Sequence, residues 1–103
     1  MTSGYILLTL RAYPEGKQWV SECLELGTTS CGASIEEALE NVKDATLLYL
    51  QTIDANETRE RIFGEKRIRV LSGDPPALAE VRGRARPNEV LSPYVHKVSA
   101  RAV

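Results

Sequence analysis

The sequence predicts an α+β domain, a three-stranded antiparallel meander followed by a capped helix and a further strand (β-β-β-α-β), with a basic C-terminal extension that ends in an edge strand. Three observations lead there. Residues 5–12, 18–23 and 28–31 read as β-prone runs with period-two faces, separated by turn residues. From Ser34 the apolar spacing changes to three and four. The chain of 103 residues, 43% hydrophobic and 26% charged, has room for one core and not for two.

Tyr5, Leu7, Thr9 and Arg11 alternate with Ile6, Leu8, Leu10 and Ala12, so this run reads as a central strand, apolar on one face and nearly so on the other. Pro14-Glu15-Gly16 joins a fixed φ to a residue that tolerates positive φ, which reverses the chain. Gln18 to Cys23 places Trp19, Ser21 and Cys23 on one face of a second strand and Gln18, Val20 and Glu22 on the other. Glu25-Leu26-Gly27 is the next turn, and Thr28 to Cys31, rich in β-branched threonine, is a short third strand.

Gly32-Ala33-Ser34 breaks the alternation, and Ser34 followed by Glu37 forms a capping box at the start of a helix. Glu36, Glu37 and Glu40 then lie near the positive end of the helix dipole. Ile35, Ala38, Leu39, Val42, Ala45, Tyr49 and Ile53 lay one apolar stripe along the helix. Leu47, Leu48 and Leu50 widen it at the far end, either as a deeper core or as a subunit contact. Residues 54–63 continue the helix or form a second one that stops at Gly64.

Lys66 to Leu71 alternates Arg67 and Arg69 with Ile68 and Val70, which predicts another strand, its basic side in water. Gly73-Asp74-Pro75-Pro76 ends it. This divides the chain into a folded unit, residues 1–71, and an extension, residues 72–103, without a recognisable DNA-binding domain. In the extension Arg82, Arg84 and Arg86 recur at every second position with Gly83 and Pro87 near them. That composition predicts a solvated linker, with phosphate contact as the alternative. After Pro93, residues 94–103 alternate again and predict a terminal edge strand.

Thirteen Lys+Arg against fourteen Asp+Glu give a net charge of −1, so the whole chain is no polycation. The balance hides a split: up to Thr58 there are three basic and nine acidic residues, and from Arg59 onward ten basic and five acidic. Opposite-signed halves point to self-association or to a charged partner. Met1 to Gly4 has no basic start, and the apolar run after it is too short for a signal core or a membrane span, which gives a cytoplasmic expectation.

The sequence assembles no active site. Glu22, Glu25, Glu36, Glu37 and Glu40 are explained by capping and solvation rather than as a carboxylate pair. Cys23 and Cys31 have only His96 as a conceivable base or co-ligand, far away in sequence, and read as structural thiols. No glycine-rich phosphate loop is present. No enzyme activity, metal or cofactor is expected. A helix-turn-helix has no uninterrupted segment to occupy, because Pro75, Pro76, Gly83 and Pro87 break the one stretch long enough to hold it.

The run Glu22-Cys23-Leu24-Glu25-Leu26-Gly27, followed by Gly32-Ala33-Ser34-Ile35-Glu36-Glu37-Ala38-Leu39-Glu40-Asn41-Val42, resembles the HicB-like antitoxin family. Glu25, Leu26 and Gly27 match the family's "pELpG" turn. Gly32, Ser34, Glu37, Ala38, Leu39 and Asn41 match its "GdTxeEAlxnixea" helix start. The likeness covers roughly residues 5 to 54, with Ala33 where an aspartate is usual and Leu24 where a proline is common. The resemblance implies a partial ribonuclease-H-like fold without ribonuclease catalysis, assembly as a homodimer or homotetramer, and a small HicA-like mRNA-cleaving toxin as the partner that the domain neutralises. The antitoxin surface expected on this basis joins Glu22, Glu25, Glu36 and Glu40, complementary to a basic partner, to the aromatic anchors Tyr13 and Trp19. The alternatives are a stand-alone oligomer held through Leu47, Leu48 and Leu50 or through sheet edges, and a nucleic-acid-binding accessory using Arg82, Arg84 and Arg86.

Overall fold

The computed structural model describes residues 3–73 and 85–99. Its elements run β1 (Ser3–Glu15), β2 (Gln18–Cys23), β3 (Thr29–Gly32), α1 (Ile35–Ala55), α2 (Arg59–Glu65), β4 (Leu71–Ser72) and β5 (Val90–Ser99), an α+β arrangement around one antiparallel sheet. Among the described residues no helix is long and apolar enough to cross a membrane. Arg82 and Arg84 lie outside the described residues.

β1 is the centre of the sheet. Along one edge β5 pairs with it from Ser3↔Ser99 to Ala12↔Val90. The opposite edge is shared: β2 takes Leu10 to Glu15, and β4 takes Gly4 and Tyr5. Between them, the β2–β3 turn closes the edge. The Leu24 amide donates to the Thr9 carbonyl at 2.9 Å, and the Thr9 amide donates to the Glu25 carboxylate at 2.7 Å.

This orientation of Thr9 fixes the parity of the strand pair. Its backbone groups face the β2 side, so the even-numbered residues of β1 and of β5 bond each other, while the odd-numbered residues of β5 face outward. Pro93, opposite Thr9, therefore occupies an outward position where a missing N–H breaks no bond to β1. That is why the strand begins at Val90 and runs through Pro93, rather than starting after it as the alternation from Tyr94 predicts. Pro93 and Lys97 also blunt this long edge against pairing with a further strand.

β5 lies beyond the division placed at residue 72. The terminal segment read as an extension supplies the longest partner of the central strand. The other strand prediction here is corrected as well: within residues 66–71, only Leu71 joins a strand. Gly64 is not the helix stop either. α2 runs through it to Glu65, Arg67 takes the left-handed conformation at φ 57°, and the Ile68 amide donates to the Phe63 carbonyl at 2.8 Å. Beyond this turn Ile68 packs against the core.

The helices cover one face of the sheet. Ile6, Leu8, Leu10 and Ala12 from β1, Cys23 from β2 and Val98 from β5 are buried on that face, and Ala38, Val42, Leu50 and Ile53 of α1 with Phe63 of α2 are the buried apolar residues of the helices. Each large aliphatic side chain buried in this way contributes about 1.5–3 kcal/mol. Two polar residues share the interface because their hydroxyls are partnered. Ser21 donates to the Ala38 carbonyl at 2.7 Å, and Thr46 hydrogen-bonds Thr28 at 2.7 Å. Tyr5, Leu7, Thr9, Arg11 and Tyr13 point to the opposite face, with Val20, Glu22, Leu91 and Val95.

α1 begins as its sequence demands. The Ser34 hydroxyl accepts from the Glu37 amide at 3.1 Å, and Glu36 and Glu37 occupy the first turn. Gly32, the last residue of β3, lets the helix start close to the sheet, because a Cβ there would lie 2.6 Å from the Ala38 nitrogen. Replacing Gly32 by Ala is therefore expected to lower stability to urea by about 1–3 kcal/mol. Gly64→Ala, in α2 with no atom within 4 Å of the added methyl, is expected to raise it by about 0.5–1 kcal/mol.

Candidate partner surface

The residues proposed for partner binding divide between two sides of the sheet. Glu22 and Tyr13 lie on the helix-free face, flanking Arg11. Arg11 forms ion pairs with Glu22 and, at 3.4 Å, with Glu89, and its guanidinium lies 5.0 Å from the centre of the Tyr13 ring. Glu89 also accepts from the Arg86 amide at 3.1 Å, so the turn before β5 is tied to the same cluster. Glu22 is thus half of an internal charge pair and Tyr13 the lid over its cation, which makes both poor suppliers of free charge or an anchor.

Glu25 is structural. Its Oε1 accepts from the Thr9 amide and from the Cys23 thiol, the latter at 3.9 Å. Burial, more than the nearby Glu25 charge, pushes the Cys23 pKa up, so this thiol stays protonated and inert at neutral pH. Cys31 is exposed at the far edge of the sheet and unbonded to Cys23.

Trp19 lies on the helix-bearing side of the sheet, the side on which Glu36 and Glu40 begin α1. Trp19 pairs with Gly32, whose backbone touches Glu37 and Ala38, so the indole belongs one strand away from the first turn of α1. Glu36, Glu37 and Glu40 are exposed there, with a loose 3.7 Å pair between Glu40 and Lys43. The acidic helix start and the half-buried indole are the part of the expected surface that shares one side of the sheet.

The leucine group also divides. Leu50 is 4% exposed and belongs to the core, so it is withdrawn as a subunit contact, whereas Leu47 and Leu48 are 36% and 65% exposed. The helical repeat accounts for this, since Leu50 continues the Val42–Thr46 row and the other two do not. Arg86, the described member of the arginine series, is exposed, with its backbone tied to Glu89. Among the described residues no group of His, Cys, Asp and Glu is arranged to hold a metal.

Sequence reasoning missed two arginines. Arg11 organises the helix-free face, and its signal was only its position opposite Glu22 in a hairpin. Arg59, 7% exposed, is buried where α1, α2 and β5 meet, and nothing in its charged neighbourhood distinguished it from the exposed residues around it. The chain matches no protein-family model, no curated protein and no solved structure.

Glu25 provides the prediction here. Glu25→Ala leaves the buried Thr9 amide without an acceptor and is expected to lower stability by about 1–3 kcal/mol in chemical denaturation. Glu36→Ala, on the exposed helix start, is expected to change it by no more than about 0.5 kcal/mol.

Proposed function

We propose that the chain is a HicB-like antitoxin domain, partial ribonuclease-H-like in fold and without catalysis of its own, that binds and neutralises a small basic mRNA-cleaving toxin of HicA type. The observation that carries this reading is the convergence of its signature positions on one junction. Glu25 closes the edge of β1, Leu26 is buried, and Gly27 takes φ 79°. Gly32 admits the helix, Ser34 caps it, and Asn41 donates to the Cys31 carbonyl at 2.8 Å. Residues matched by family pattern thus have a common structural task, holding the meander to the start of α1. The likeness supports kinship of architecture, and the partner follows from the family.

The surface this reading assigns to the toxin is Trp19 with Glu36, Glu37 and Glu40. Exposed acids there steer a basic protein toward the site and select it, while the indole contributes apolar contact at its centre. Glu22, Glu25 and Tyr13 leave the interface because Arg11 and the Thr9 amide already engage them.

The test is stopped-flow association of the chain with the small basic protein encoded beside it. Binding is expected to slow as salt rises, and Glu36→Lys with Glu40→Lys is expected to slow it roughly tenfold. Unchanged association rate and salt dependence in that variant would place the interface elsewhere. Failure of the wild-type chain to bind, or the lack of such a neighbour, rejects the antitoxin reading.

A further inference from the structure

The edge of β1 that β2 and β4 share stays open at one residue. β4 joins β1 at Gly4 and Tyr5, and the Leu24–Glu25 turn joins it at Thr9. Leu7 lies between these attachments. The odd-numbered residues of β1 turn their backbone groups to this edge, as both Thr9 bonds show, so the Leu7 amide and carbonyl point there too. Were the Tyr5↔Leu71 pairing continued, Arg69 would face Leu7, but β4 begins only at Leu71. Among the described residues neither Leu7 group has a hydrogen-bond partner, which leaves both to solvent or to a ligand.

A groove of about 370 Å³ opens beside this gap, within the size range of small-ligand sites. Leu7, Ile68, Leu71 and Pro93 supply apolar lining, and Glu25, Arg67 and Arg69 bring charge to it. Both arginines are exposed, and neither is ion-paired with a described residue. Glu25 uses its Oε1 for the Thr9 amide and the Cys23 thiol, while its Oε2 has no partner among the described residues. The lining thus offers one carboxylate, two uncommitted guanidinium groups, and one strand amide with its carbonyl. The groove shares no residue with the surface of Trp19, Glu36, Glu37 and Glu40 proposed above.

A simple anion would meet Glu25 as well as the arginines, and a simple cation would meet the arginines as well as Glu25. A small molecule that carries both charges engages the whole set. We infer that the groove binds a free α-amino acid with an aliphatic side chain. Paired antiparallel to Leu7, its nitrogen donates to the Leu7 carbonyl and its carboxylate accepts from the Leu7 amide, the two bonds that facing strand residues exchange. In this direction the ammonium lies toward Thr9 and Glu25, and the carboxylate toward Leu71 and the segment that carries Arg67 and Arg69. The reverse direction would set the carboxylate beside Glu25. Leu7, Ile68, Leu71 and Pro93 receive the hydrocarbon part.

The test is an NMR titration of the isotope-labelled full chain with L-leucine, following the Leu7 amide. In the free chain that amide is expected to exchange with solvent about tenfold or more faster than the Thr9 amide, whose proton Glu25 holds. L-leucine is expected to shift it saturably and to slow its exchange. L-leucinamide, which lacks the carboxylate, and N-acetyl-L-leucine, which lacks the ammonium, are each expected to bind about tenfold more weakly. Arg69→Gln is expected to weaken L-leucine binding several-fold, as is Arg67→Asn, which keeps a residue that tolerates the positive φ at this position. Glu25→Gln retains an acceptor for Thr9 but not the charge, and is expected to weaken binding several-fold; should it fail to fold, the arginine variants carry the comparison. A Leu7 amide already protected in the free chain, no saturable shift, or equal binding of L-leucinamide would each overturn the assignment. So would indifference to both arginine variants, or N-acetyl-L-leucine binding as tightly as L-leucine, which would make the ligand a peptide end.

Discussion

A central strand in a small sheet must have its backbone groups satisfied on both edges, and β1 meets this constraint by three different means. β5 runs along one edge from Ser3 to Ala12. On the other, β2 and β4 leave a gap between them, and the Leu24–Glu25 turn closes it at Thr9 with one backbone and one carboxylate hydrogen bond. With the Thr9 groups closed, β1 can be apolar on its helix face and buried at Thr9 on the other, which gives α1 a continuous platform. The position of Glu25 follows from this requirement and not from any partner.

The same constraint separates architecture from recognition. A carboxylate that completes a strand edge, an acid paired to Arg11 and a tyrosine stacked on that arginine are fixed by the fold. Glu36, Glu37 and Glu40 are bound to nothing so demanding and remain available at the start of α1. Of the acids expected at the partner surface, Glu36 and Glu40 at the helix start are the ones without a structural task, and the proposed reading places recognition there with Trp19. The basic half does not stand apart from it, since Arg86 and Glu89 lead into β5 beside Arg11.

Much of this was legible in residue order. The span of β2 follows from the turn signals Pro14-Glu15-Gly16 and Glu25-Leu26-Gly27 that bound it, and the start of α1 from Ser34 and Glu37, because these signals are local. Thr46 was not legible as core. Its hydroxyl is acceptable there only because Thr28, from the preceding turn, meets it. The reach of β5 through Pro93 depends on which way Thr9 points across the sheet, information no local pattern contains. Residues 66–70 alternate like a strand, but the left-handed turn at Arg67 carries them past the end of α2 instead. The candidate surface was half legible for the same reason: charge and aromatic character are visible in sequence, whereas the internal partners of Glu22 and Glu25 come from β1.

Native-state hydrogen exchange tests most directly whether β5 belongs to the central fold. If both edges of β1 are closed as described, the amides of Ile6, Leu8 and Leu10 and those of Tyr94 and His96 exchange only with the free energy of global unfolding. Rapid exchange of the β5 amides at a much lower free energy, with the β1–β2 amides still protected, would show a detachable arm and contradict the account.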